Sequence, residues 1–256
     1  MINNKQKGIA LFLISLCFTN CKNNVEADKE PWIEKPISEW PNFVLTNSVQ
    51  FTDTTYTDIA NSFVVATDSD TIAASCKHIF LVFKNNGLNT IDLGKDFLKW
   101  TMHPKTQNDK NVIIKNLINQ NNKERIGAFN TLKDRDWIIF NIENKDNQIY
   151  PLKIRKAPLK KGEIIYAVGW AYRQTTTEPT IVKMQMFENL GNYYYVRTLS
   201  QNIDPAGRSG SPVIDENGYL VGLVSGAEGN LGVIGSVAYL FKLFDQYGIK
   251  YKTTAP

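Results

Sequence analysis

Histidine and cysteine are the scarce residues of this 256-residue chain: it has two of the first and three of the second. Cys17 and Cys21 fall in an amino-terminal leader, which leaves Cys76 alone in the folded part and excludes a disulfide within it. No His/Cys/Asp/Glu spacing suggests a metal site, and no glycine loop of the phosphate-cradling kind is present, so no cofactor is expected. Charge of neither sign dominates. The net charge of +4 is dispersed among Asp and Glu, with no basic stripe interleaved with aromatics, which argues against a nucleic-acid partner. The apolar run Gly8–Phe18 is too short to cross a bilayer, and there is no internal repeat. What remains is an ordinary globular composition, 43% hydrophobic and long enough to bury a core.

The leader is itself informative. Lys5 and Lys7 precede the apolar run, the pattern of a signal peptide over residues 1–20. Thr19-Asn20-Cys21 then resembles the lipobox of bacterial lipoproteins, although Phe18 and Asn20 depart from its strict consensus. The resemblance implies a lipid on Cys21, export to the periplasmic or cell-surface side, and membrane contact through that anchor alone. Residues 21–41 are polar and charged, with Pro31, Pro36 and Pro41 as punctuation, and read as anchor and tether.

From Asn42 onward short apolar runs alternate with turn residues, as an all-β chain requires. Phe63-Val64-Val65-Ala66, Trp137-Ile138-Ile139-Phe140 and Ile164-Ile165-Tyr166-Ala167-Val168 are examples. Asp215-Glu216-Asn217-Gly218 is a hairpin turn with Asn-Gly supplying positive φ. The stretch Val237 to Tyr247 has few breakers and predicts a short carboxy-terminal helix.

Asp204-Pro205-Ala206-Gly207-Arg208-Ser209-Gly210-Ser211-Pro212 sets Ser209 between glycines, directly before an apolar strand. Such a turn can aim one hydroxyl and two neighbouring N–H groups at a single spot, the geometry of a nucleophile with an oxyanion hole. Turns of this composition also serve as plain hairpins. His78 closes a strand-like run of small residues, whereas His103 sits in the turn-prone Met102-His103-Pro104. Cys76, two residues before His78, lacks a turn that would expose a nucleophile and reads as a buried small residue. Asp136 abuts Trp137-Ile138-Ile139-Phe140, and an Asp there can orient an imidazole; Asp134 reads as part of the preceding turn.

These three segments resemble the chymotrypsin/trypsin-like serine protease family, in its bacterial branch. Gly207-Arg208-Ser209-Gly210-Ser211-Pro212 is similar to its Gly-Asp-Ser-Gly-Gly-Pro block, Ser75-Cys76-Lys77-His78 to its Thr-Ala-Ala-His block, and Asp136-Trp137-Ile138-Ile139-Phe140 to its Asp-Ile-Ala-Leu-Leu block. Gly222-Leu223-Val224-Ser225-Gly226 is similar to the later Gly-Ile-Val-Ser-Trp-Gly strand, and Lys161 to Trp170 to the first hairpin of the second barrel. The resemblance implies two packed antiparallel β-barrels, over residues 42–150 and 151–256, the second with the helix. It implies Ser209 as nucleophile, His78 as base and Asp136 as orienting carboxylate, in family order. The Gly207 and Ser209 N–H groups would form the oxyanion hole, and Ser225 and Gly226 the edge on which a protein or peptide substrate pairs. Arg208 stands where secreted zymogens have an Asp, so activation through a freshly cut amino terminus is not expected. Ala60-Asn61-Ser62 stands where the family often has glycines. The separation of His78 from Asp136 is long, and the Asn/Lys-rich stretch 106–125 reads as a surface insertion. Ile203 occupies the position that decides a basic preference; Asp204 beside it could still face the pocket. The function implied is a serine endopeptidase; the alternative is the same fold kept as a catalytically inactive binding or scaffold lipoprotein.

Overall fold

A computed structural model of the protein describes residues 29–68, 70–251 and the backbone of 253–254, so the expected signal peptide, Cys21 and the first residues of the tether lie outside the described residues. The first run of strands is β1 (Val44–Phe51), β2 (Thr55–Ala66), β3 (Thr71–Ser75), β4 (Thr90–Ile91), β5 (Phe97–His103), β6 (Val112–Leu117), β7 (Asn121–Arg125) and β8 (Ile138–Lys145). Two single-turn helices interrupt it, α1 (Phe80–Phe83) and α2 (Phe129–Leu132). The second run is β9 (Ile154–Arg155), β10 (Ile164–Gly169), β11 (Thr180–Asn189), β12 (Tyr193–Thr198), β13 (Pro212–Asp215), β14 (Leu220–Glu228) and β15 (Leu231–Ser236). The helix α3 (Val237–Tyr247) and a last short strand, β16 (Thr253–Thr254), complete it.

β1-β2-β3-β8-β6-β5 close into one antiparallel barrel. The second barrel runs β13-β10-β11-β12-β15-β14 and is closed by pairing of β13 with β14; β9 and β16 add in parallel outside β14. Closure removes the open edges that a free sheet would expose. The predicted all-β architecture of two antiparallel barrels is therefore the fold, with six strands in each. Period-two burial drives it: β11 buries Val182, Met184 and Met186 and turns the residues between them outward. α3 is also where the sequence placed it. Ser236 Oγ accepts from the Ala238 N–H at 3.0 Å, Gly248 ends the helix at φ +68°, and Val237, Leu240, Leu243 and Phe244 form its buried face.

Two segments differ from expectation. The stretch 106–125 is not a surface insertion: β6 is a barrel strand between β5 and β8, and β7 pairs with β4 in a separate ribbon. Val112, Ile114 and Leu117 supply the buried face that the Asn and Lys residues between them obscure. Residues 29–41, the described part of the expected tether, lie against the body. Trp32 is buried against Phe43, Trp40 and Tyr150, and Glu30 is buried with Lys153 Nζ at 2.7 Å and its N–H on the Asn217 carbonyl at 2.9 Å. Two tryptophans give this proline-marked stretch enough apolar surface to dock.

Candidate active site

β3 ends at Ser75, and the chain tightens into a single 3-10 turn, Lys77–Ile79, that carries His78. Asp136 precedes β8, and the register of β3 on β8, Ser75 opposite Ile138, brings the two together. His78 N–H donates to Asp136 Oδ1 at 2.8 Å, and His78 Nδ1 lies 2.7 Å from Oδ2. A carboxylate acceptor selects the tautomer with its proton on Nδ1, which leaves the Nε2 lone pair able to accept a proton. Ser225 Oγ donates to the same Oδ2 at 2.5 Å, so Asp136, 1% exposed, has donors on both oxygens. Burial of the imidazole works against its charged form, but the Cys76 sulfur and the Asp136 carboxylate raise its pKa well above the ordinary histidine value. On the outer side, β7 supplies Glu124, whose Oε1 meets buried Lys77 Nζ at 3.1 Å and Arg135 Nε at 2.8 Å, tying down the residues that precede His78 and Asp136.

Ser209 comes from the second barrel. Gly207 and Gly210 flank it at φ +79° and +76°. A Cβ on Gly207 would lie 2.5 Å from the Tyr172 nitrogen, and one on Gly210 only 2.1 Å from the Asn61 carbonyl oxygen. No other residue type fits either place. The turn is anchored through its backbone: Gly210 N–H donates to Val224 O at 2.7 Å, and Asn61 N–H donates to Ser209 O at 2.6 Å. The Ala206 carbonyl accepts from the Tyr172 N–H at 2.8 Å, which turns the Gly207 N–H of that trans peptide the other way. Among the described residues neither the Gly207 nor the Ser209 N–H donates to a protein acceptor, and the Ser209 hydroxyl makes no hydrogen bond to His78. Hydroxyl–imidazole bonds of this kind commonly tighten only once substrate is bound.

Arg208, which stands where secreted zymogens have an Asp, is itself part of the support of the turn. Its buried side chain donates from Nε to Asp204 O at 2.7 Å and from Nη1 to Gly169 O at 3.1 Å, bracing the turn with carbonyls of its own barrel. Ser211 sits opposite Gly169, where a Cβ would lie 2.0 Å from its hydroxyl oxygen, so the serine in place of a family glycine is accommodated by a glycine across from it. His103 is buried on β5, with Nε2 3.0 Å from Ser48 Oγ and Nδ1 3.0 Å from Pro104 O, and takes no part in this cluster. Cys76 is buried, as its surroundings predicted.

Sequence reasoning missed two residues. Asn61 is 2% exposed and reaches across the barrels: Nδ2 donates to Trp170 O at 3.0 Å and Gly207 O at 2.9 Å, and Oδ1 accepts from the Trp170 N–H at 3.0 Å. Its own carbonyl accepts from Ser75 Oγ at 2.8 Å, so one residue links the strand before His78 to the turn around Ser209. The second is Phe129 on α2. Its ring meets the His78 imidazole edge-on, centroids 5.5 Å apart, and a Cβ on Gly226 would lie 2.6 Å from its Cζ. Gly226 stands where the related strand carries a tryptophan, and that missing aromatic was the available signal for Phe129. Ser225 and Gly226 lie in β14 beyond the last residue paired with β13, where the strand edge is open.

The family model of the trypsin-like peptidase domain matches residues 60–223, a span that takes in Asn61, His78, Asp136 and Ser209. The chain belongs to that family. Among solved structures, this trypsin-like peptidase is similar to the active form of Rv3671c protease from M. tuberculosis, with a TM-score of 0.55 and 14% identity over 90% of this chain and 92% of that one. The inactive form of Rv3671c protease is similar at a TM-score of 0.52 and 16% identity, over 87% of this chain and 98% of that one. At such identities the likeness speaks for the fold. No curated protein shows significant sequence similarity to the chain. Among the described residues no helix is long and apolar enough to cross a membrane, and no group of three or more His, Cys, Asp or Glu could hold a metal ion.

Proposed function

We propose that this trypsin-like peptidase is an exported serine endopeptidase, anchored through a lipid on Cys21 and acting on protein or peptide substrates. Ser209 Oγ attacks the scissile carbonyl while His78 Nε2 takes its proton; Asp136 holds the ring and stabilises the imidazolium. The Gly207 and Ser209 N–H groups receive the oxyanion. His78 then protonates the leaving amine, and a water activated by the same imidazole hydrolyses the acyl-enzyme. The observation that carries this reading is the buried carboxylate 2.7 Å from an imidazole, with Ser225, the third donor to that carboxylate, next to the residue whose carbonyl anchors the Ser209 turn.

The other reading, an inactive binding module of the same fold, draws on the missing Ser209–His78 hydrogen bond. A fluorophosphonate probe separates the two, because only an activated serine reacts quickly. Rapid labelling and hydrolysis of an unfolded protein, both abolished in Ser209→Ala, are expected. Equal behaviour of the two proteins would remove the catalytic assignment.

A further inference from the structure

A cavity of about 470 Å³ opens beside Ser209. Its floor is Ala167 of β10 with Val182 and Met184 of β11, all three nearly buried residues of the second barrel's core. Ile203 and Ala227 of β14 also line it. Ser209 itself lines the cavity, so under the role proposed for it the side chain that reaches this space belongs to the residue whose carbonyl it attacks.

Among the described residues no carboxylate lines the cavity. Asp204, which could have faced it, is exposed and turned back on its own turn, with Oδ1 accepting from the Ala206 N–H at 3.0 Å. The one charged side chain in the lining is a cation, Arg208, and its Nε and Nη1 are held by the Asp204 and Gly169 carbonyls. A lysine or arginine entering here would shed its water against methionine and valine, find no counter-charge, and approach a guanidinium. A phenyl or branched aliphatic group would replace water on apolar atoms.

We infer that the chain takes a large apolar side chain, of the Phe, Leu or Met kind, at the residue before the scissile bond and discriminates against Lys and Arg. The inference rests on the role of Ser209 proposed above, and its test keeps the two apart. Peptides differing only at that residue, Phe, Leu, Ala, Lys or Glu, are compared for kcat/KM with wild type and for Kd with Ser209→Ala, which reads the pocket without turnover. Phe and Leu should exceed Lys by about a hundredfold in kcat/KM and about tenfold in affinity. Ala227→Val, which adds bulk to the lining, should lower the Phe-to-Ala ratio at least roughly tenfold. Lys bound as tightly as Phe, or a Phe-to-Ala ratio unmoved by Ala227→Val, would overturn the inference. An inert wild type whose Ser209→Ala form still prefers Phe would refute the catalytic reading and leave the pocket reading standing.

Discussion

An imidazole serves as a base only while neutral, so the surroundings of His78 set the pH at which this site can work. Burial alone would keep the ring uncharged at lower pH, yet the Cys76 sulfur and the Asp136 carboxylate raise its pKa well above the ordinary value. At pH 6.5 the charged form then predominates, and kcat/KM should climb with a midpoint on the alkaline side of that pH. In Asp136→Asn the neighbouring carboxylate is gone, so the midpoint should fall toward the acid side while the plateau drops by roughly 10⁴-fold through the wrong tautomer. A pH profile of the two proteins checks this; a wild-type midpoint below 6.5 would contradict it. At this scale the pairing of His78 with Asp136 could be anticipated because each sits in a local motif. Asn61 could not be, since its meaning lies in partners 109 and 146 residues away.

The element that shapes the approach to the site is α2. It lays Phe129 over Gly226 and beside His78, and Lys133 just after it reaches β14 through Glu228 Oε2 at 2.5 Å, with Tyr195 OH on the same oxygen at 2.5 Å. That ion pair is exposed and adds little by itself. The ring is the larger contact. Phe129→Ala should raise KM for an extended peptide about tenfold and leave kcat nearly unchanged, because binding lost equally from ground and transition states appears in KM alone. A fall in kcat with KM constant would instead assign Phe129 to positioning His78. The strands around the site were readable from runs such as Trp137-Ile138-Ile139-Phe140. β6 was not, because Asn and Lys dilute its apolar positions and length alone argued for an insertion.

At the scale of the molecule, the alternation of short apolar runs with turn residues supported a mostly β chain, and closure into two barrels came from the family likeness. Which segments complete the body was harder to read. Residues 29–41 have a linker's prolines and charges, but Trp32 is buried, and Glu30 joins Lys153, Tyr150 and the hairpin of Asn217. Trp32→Ala should therefore destabilise the protein by about 3 kcal/mol in urea unfolding, with kcat unaffected because the ring partners of Trp32, which are Trp40, Phe43 and Tyr150, are not among the residues of the His78–Ser209 cluster. A change within 0.5 kcal/mol or so would return the segment to linker status. Asn61 has a consequence of the same reach. An amide riveted to both halves, at the point where they meet the serine turn, resists gaping of the cleft. Any polypeptide entering must supply the pliancy itself, so cuts in a native target would fall in its loops and frayed ends rather than in its packed interior.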